Sequence, residues 1–169
     1  MSSPFRPPII EESGVSFYLV EGDTAFQWML LLHFAQAIAT FEGFYIDGSK
    51  AQRNNNPGNL RPIGASTGFR VFETANQGWE RLVNQIEINV KRGLTLEEFF
   101  LGKKGVYPGY APLGDNPEDV MENYLNFMSK QTGIPRDAIL LNYFPMLGDT
   151  DIRTGLMTRW RPPRYQNEP

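Results

Sequence analysis

Hydrophobic positions along the chain fall into helical blocks separated by polar, glycine-rich stretches. From about Thr24 to Phe41, the residues Phe26, Met29, Leu30, Phe34, Ala37 and Phe41 recur at helical spacing, and Leu31, Leu32 and Ile38 fill the other side. A helix apolar nearly all round belongs in the middle of a fold. Asp23 or Thr24 supplies its cap, and Gly43 closes it by taking the left-handed conformation. Thr74-Ala75-Asn76-Gln77 reads as a capping box that opens a helix with Trp79, Leu82, Val83, Ile86 and Val90 on one face, ended by Gly93. Thr95-Leu96-Glu97-Glu98 is a second box, starting a short helix through Phe100. Asn116 caps and Pro117 begins a last helix, with Val120, Met121, Tyr124, Phe127 and Met128 as its buried stripe and Gly133 as its stop.

Between the first two helices, residues 46 to 68 read as loop and turn. There Leu60-Arg61 and Phe69-Arg70-Val71-Phe72 are expected to pair as a short β-hairpin. Residues 1–22 carry Pro4, Pro7 and Pro8 and then a β-like run, Val15 to Val20, and are expected to form an arm with one strand. Residues 141–169 hold proline, arginine and aromatics without helical periodicity, and are expected to pack on the surface through Tyr143, Phe144, Leu156 and Trp160. The prediction is a mainly α (α+β) chain with an arm at 1–22, one domain at 23–140 and a C-terminal extension at 141–169. Arg153, Arg159, Arg161 and Arg164 make that extension locally basic, so the alternative to simple surface packing is a contact with a virion or secretion-system partner or an anionic wall polymer.

Composition narrows the field modestly. At 169 residues the chain is long enough for one real core. A net charge of -3 and a pI near 5.2 give no general reason to expect nucleic acid or an anionic membrane as partner. There is no cysteine, which excludes disulfides and thiolate metal sites, and a single histidine, His33, excludes a histidine-rich one. No metal or cofactor is implied. The longest apolar run, Trp28 to Ala35, is too short and interrupted to span a bilayer. Met1 to Pro8 lacks the charged-then-apolar pattern of a secretory signal, so delivery by a phage-made lesion, a virion or a secretion machine is expected for any substrate outside the cytoplasm.

The chemistry centres on Glu42. A carboxylate at a helix C-terminus faces the negative end of the dipole, and Phe41, Phe44 and Tyr45 desolvate it, so both effects favour its protonated form. A glutamic acid that keeps its proton near neutral pH is what glycosidic cleavage requires, because the leaving oxygen must be protonated. The cluster Asn54-Asn55-Asn56-Pro57-Gly58-Asn59 offers amides that donate and accept toward sugar hydroxyl and acetamido groups, although the same residues are the commonest turn formers. Tyr107-Pro108-Gly109-Tyr110-Ala111-Pro112 can present a phenol to a cleft or pack it against the body. For a second carboxylate the loop candidates are Asp47, Glu73 and Asp115, each equally suited to capping a turn. His33 is expected in the core or at its boundary.

Taken in order, Glu42-Gly43, Arg53-Asn54-Asn55-Asn56-Pro57-Gly58-Asn59-Leu60-Arg61, Gly68-Phe69-Arg70-Val71-Phe72, Gly78-Trp79, Gln85-Ile86 and Tyr110-Ala111-Pro112 resemble the phage and bacterial lytic transglycosylase-like proteins of the lysozyme superfamily. The resemblance covers about Thr24 to Leu140. It implies a lysozyme-like fold with a central buried helix and the hairpin beside the cleft, and cleavage of the β-1,4 bond between N-acetylmuramic acid and N-acetylglucosamine in peptidoglycan glycan strands. By the same resemblance Glu42 is the acid and then the base, while Asn56, Asn59, Arg61 and Tyr110 line the substrate site. Asp47 or Glu73 would be needed as partner carboxylate for a hydrolase of the lysozyme type. A transglycosylase can use Glu42 alone. A third reading keeps the fold without turnover, as a wall-binding or virion structural module. The lysine-bearing insert Gly102-Lys103-Lys104-Gly105 departs from the family pattern.

Overall fold

A computed structural model of the chain describes residues 24–65, 67–111 and 117–148. The expected N-terminal arm and its strand, Asp115, Asn116, Leu156 and Trp160 lie outside the described residues. What is described is mainly helical: α1 (Thr24–Phe41), α2 (Lys50–Arg53), α3 (Ala75–Val90), α4 (Leu96–Leu101) and α5 (Glu118–Thr132), followed by 3-10 turns at Leu140–Asn142 and Pro145–Gly148. No helix among the described residues is long and apolar enough to cross a membrane.

Helix α1 is the hub, as its all-round apolar sequence requires. It packs against α3, α5 and the second 3-10 turn. Leu31, Phe34, Ala35, Ile38 and Ala39 are buried along it, whereas Met29, Leu32 and His33 are half-buried. Phe34 has no exposed surface and meets the rings of Phe99, Phe100 and Phe144 at centroid distances of 5.5, 6.4 and 5.9 Å. Aromatic contacts of this kind add to the burial itself. His33 Nε2 lies 2.7 Å from the carbonyl of Gln131, which ties the middle of α1 to the end of α5.

The caps largely follow the sequence. Thr95 and Glu98 form the full reciprocal box at the start of α4. At α3, Thr74 Oγ1 accepts from the Gln77 amide, but Gln77 Oε1 accepts from the amide of Glu73, one residue before the cap. In α5 the cap position is Pro117 itself, with no side-chain cap bond. Its buried stripe is Met121, Tyr124, Leu125 and Met128; Val120, expected inside, is 38% exposed. Helix α4 is anchored from the far end of the chain, because Leu96, Glu97 and Leu94 exchange backbone bonds with Ala138, Arg136 and Leu140.

The expected hairpin needs correction. Among the described residues there is no β-strand. Residues 60–61 and 69–72 do run side by side, but a single backbone bond, Arg70 N to Leu60 O at 2.7 Å, joins them, and a buried amide takes the place of a ladder. Where the extension is described, Phe144 is buried with Met146 and Leu147 in the same core as α1, and Tyr143 packs against it.

Candidate active site

Helix α1 ends in a way that aims Glu42. Gly43 takes φ +78°, and the amides of Gly43 and Phe44 turn back to the carbonyls of Thr40 and Ala39 at 3.1 and 2.9 Å. This Schellman closure fixes the residue between helix and glycine, Glu42, at the rim of the core. Two donors hold its carboxyl. Tyr124 Oη donates to Oε1 at 3.0 Å, and Asn59 Nδ2 donates to Oε2 at 2.9 Å. Tyr124 is itself fixed by stacking on Phe41, ring centroids 3.8 Å apart, and by Phe100 at 4.5 Å. Burial raises the Glu42 pKa above its ordinary value, and it outweighs the bonds from Asn59 and Tyr124, which pull it down. The phenols of Tyr124 and Tyr110 are pushed well above 10.0, first by burial and then by the Glu42 charge, so both stay protonated donors.

The facing wall is the loop after α2. Asn55 and Asn59 adopt φ of 51° and 46°, a region asparagine tolerates better than most side chains. Asn55 Nδ2 donates to the carbonyls of Phe72 and Glu73. Asn56 has no exposed surface; its Nδ2 donates to the carbonyls of Leu60 and Arg70 at 2.9 and 2.8 Å, and its Oδ1 accepts from the Leu60 amide at 2.9 Å. Helix α3 presses directly on this loop at Gly78, where a Cβ would stand 1.9 Å from the Asn55 carbonyl oxygen. Only glycine permits that approach.

Between the walls lies a cleft of about 710 Å³. Glu42 and Asn59 line it with Arg61, Gln85, Tyr110 and the loop 60–65. Glu42 is the one carboxylate among its described lining residues, against three arginines, Arg61, Arg70 and Arg81. Tyr110 does line the cleft, but its hydroxyl donates to the Gly58 carbonyl at 2.5 Å and thereby braces the loop wall. Asn56, expected to bind substrate, is a brace inside the loop with its amide already engaged on both ends. Asp47 is exposed and accepts from Gln52 Nε2 beside α2, away from the cleft lining. Glu73 lines a neighbouring groove instead. No group of three or more His, Cys, Asp or Glu side chains that could hold a metal ion occurs among the described residues.

Tyr124 is the site residue that sequence reasoning missed. Its signal was the one hydroxyl-bearing residue in an otherwise nonpolar stripe, since a buried phenol requires a hydrogen-bond partner. Arg70 and Arg81 carried no such signal. Comparison with protein-family models, curated proteins and solved structures gives no match.

Proposed function

We propose that this chain is a peptidoglycan lytic transglycosylase with a lysozyme-like fold, cutting the N-acetylmuramic acid to N-acetylglucosamine bond through Glu42 alone. The observation that carries the reading is the lone carboxylate among the described lining residues of the cleft, its pKa raised by desolvation and its oxygens steered by two donors. Glu42 gives its proton to the glycosidic oxygen as the C1–O4 bond breaks. The C6 hydroxyl of the same muramic acid attacks C1, and its proton returns to Glu42, closing a 1,6-anhydro ring. No water is consumed, so no second carboxylate is required to activate one. Tyr124 and Asn59 stabilise the carboxylate that exists between the two proton transfers.

Mass spectrometry of purified peptidoglycan, digested with the wild type and in parallel with Glu42→Gln, tests this reading. Anhydro-muropeptides from the wild type alone are the expected result. Reducing-end products would make the protein a hydrolase of the same bond. No release from any wall would leave a binding or structural role.

A further inference from the structure

Tyr107 and Pro108 line the Glu42 cleft and also a separate groove of about 540 Å³, built from residues 101–108. That stretch contains Gly102-Lys103-Lys104-Gly105, the insert that departs from the family pattern. It forms a tight loop closed by one antiparallel bridge. Lys103 and Tyr107 exchange backbone bonds of 2.8 and 2.9 Å, and the Val106 amide turns back to the Lys103 carbonyl. At the base Gly102 takes φ +98°, and a Cβ there would stand 2.5 Å from the Pro108 carbonyl oxygen. The amides of Tyr110 and Ala111 then hold the returning chain to the carbonyls of Phe99 and Phe100 in α4. A fixed base therefore carries an exposed tip of Lys104, Gly105 and Val106. The charge is one-sided, since the groove is lined by two lysines and no acid. Lys103 is paired with Glu98 at 3.2 Å. Lys104 makes no hydrogen bond or ion pair among the described residues, and the Gly105 amide is unbonded beside it. Arg92 lies over the Tyr107 ring at 5.0 Å and adds a third cation next to the groove. In a chain of net charge -3, this positive surface is a local feature.

We infer that the groove of the insert binds an anionic wall polymer of the phosphodiester class, attached to the glycan whose sugars occupy the Glu42 cleft. This rests on the glycan reading above and adds a second polymer to what the protein recognises. A phosphodiester keeps its charge throughout the neutral range and offers two unesterified oxygens. Those oxygens accept together from a lysine ammonium, which acts on phosphate as a point charge, and from backbone amides left free in a turn. Two observations favour a chain over a protein partner. A stable protein interface takes about 20–30 residues a side, whereas this groove is built from residues 101–108. The groove also shares Tyr107 and Pro108 with the cleft, so a substituent on a bound sugar passes directly from one to the other.

Calorimetric titration of the full chain with short polyglycerol phosphate tests this, with polyglutamate of matched charge as the comparison. The wild type and Glu42→Gln are expected to bind the phosphate polymer alike, and more weakly as salt is raised. Lys104→Gln should weaken binding by about threefold, the scale of one exposed ion pair, and the double change with Lys103→Gln by about tenfold. Lys130→Gln removes the same charge from the exposed side of α5 and should leave binding unchanged. No binding, or equal losses from Lys104→Gln and Lys130→Gln, overturns the site. Polyglutamate held as tightly as polyglycerol phosphate overturns the phosphodiester assignment in favour of an acidic partner. Walls stripped of phosphodiesters with hydrofluoric acid supply a second readout. The wild type should need more stripped wall than untreated wall to reach the same rate of release. Lys104→Gln should erase that difference while cleaving stripped walls as the wild type does. A difference that survives in Lys104→Gln overturns the link between groove and cleft. Polymer binding without anhydro products from either wall would keep the groove and remove the enzymatic reading; anhydro products without polymer binding would do the opposite.

Discussion

The two walls of the cleft keep polar groups away from water by opposite means. The helical wall does it with packing: Glu42 is held at the end of α1 by a Schellman turn and by Tyr124, itself clamped between Phe41 and Phe100. The loop wall packs Leu60 on the core and buries Phe72, but side-chain amides do the work that a strand ladder would do elsewhere. Asn56 spends its amide on Leu60 and Arg70, and Asn55 spends its amide on Phe72 and Glu73. Asn59, three residues on in the same motif, is left to reach across to Glu42. The difference separates the functions: packing on one side raises the Glu42 pKa, and hydrogen bonding on the other side sets a shape.

Replacing Glu42 is the largest break. Glu42→Gln is expected to lower the rate of wall release by roughly a thousandfold or more, since the proton donor itself is gone. The fold should survive, because Gln can accept from Asn59 and donate to Tyr124, whose hydroxyl both gives and accepts. It should in fact gain stability at neutral pH. The raised pKa of Glu42 means the folded state binds its proton more tightly than the unfolded one, so wild-type stability falls as pH rises from about 4.5 through the folded value. Thermal unfolding of both forms across that range should show the curves converging in acid and separating above it, with the variant higher. Retained lysis by Glu42→Gln would end the single-acid reading.

Asn56→Ala probes the other wall. It removes three hydrogen bonds and strands the Leu60 and Arg70 carbonyls, an expected loss of about 3 kcal/mol in urea unfolding. Asn59→Gly, which keeps the φ of 46° without strain, should do the reverse, with a smaller change in stability and a clear loss of activity. If the two variants behaved alike, the division of labour within the motif would be wrong.

Tyr124→Phe is a smaller and more diagnostic change. The hydroxyl donates to the ionised form of Glu42, so its removal raises the Glu42 pKa further. The alkaline limb of the pH–rate profile should move to higher pH, while stability falls by about 1 kcal/mol. A profile that keeps its position while the rate drops would make Tyr124 a packing residue only.

Most of the helical wall was legible in the chain, because helical periodicity and caps are local. The end of α1 at Glu42-Gly43, the box at Thr95 and the stop at Gly133 are each written within a few residues. The loop wall was legible as a motif but not as roles. Nothing in Asn54-Asn55-Asn56 tells which amide turns inward, since that depends on where residues 70–73 return. Tyr124 and Glu42 are 82 positions apart, and only the packing of α5 on α1 brings them together. The hairpin expectation was not met for a related reason: residues 60–61 and 69–72 share one backbone bond, and the buried Asn56 side chain supplies the rest of the link.

The smallest expected effect is also the sharpest test of the carboxylate count. Asp47 and Glu73 are the acids that a hydrolase would need, and both are exposed and absent from the Glu42 cleft lining. Asp47 meets Gln52 beside α2, and Glu73 faces the neighbouring groove across from α3. Bringing Glu73 onto a sugar held at Glu42 would strain the bonds from Asn55 to the Phe72 and Glu73 carbonyls, and bringing Asp47 there would break its bond from Gln52. Asp47→Asn should therefore leave the rate of wall cleavage within about twofold, the scatter of surface substitutions. Glu73→Gln should keep the anhydro character of the products. A collapse of turnover in Asp47→Asn, or reducing ends that vanish in Glu73→Gln, would place a second acid at the reacting carbon and make the loop wall a catalytic partner of the helical one.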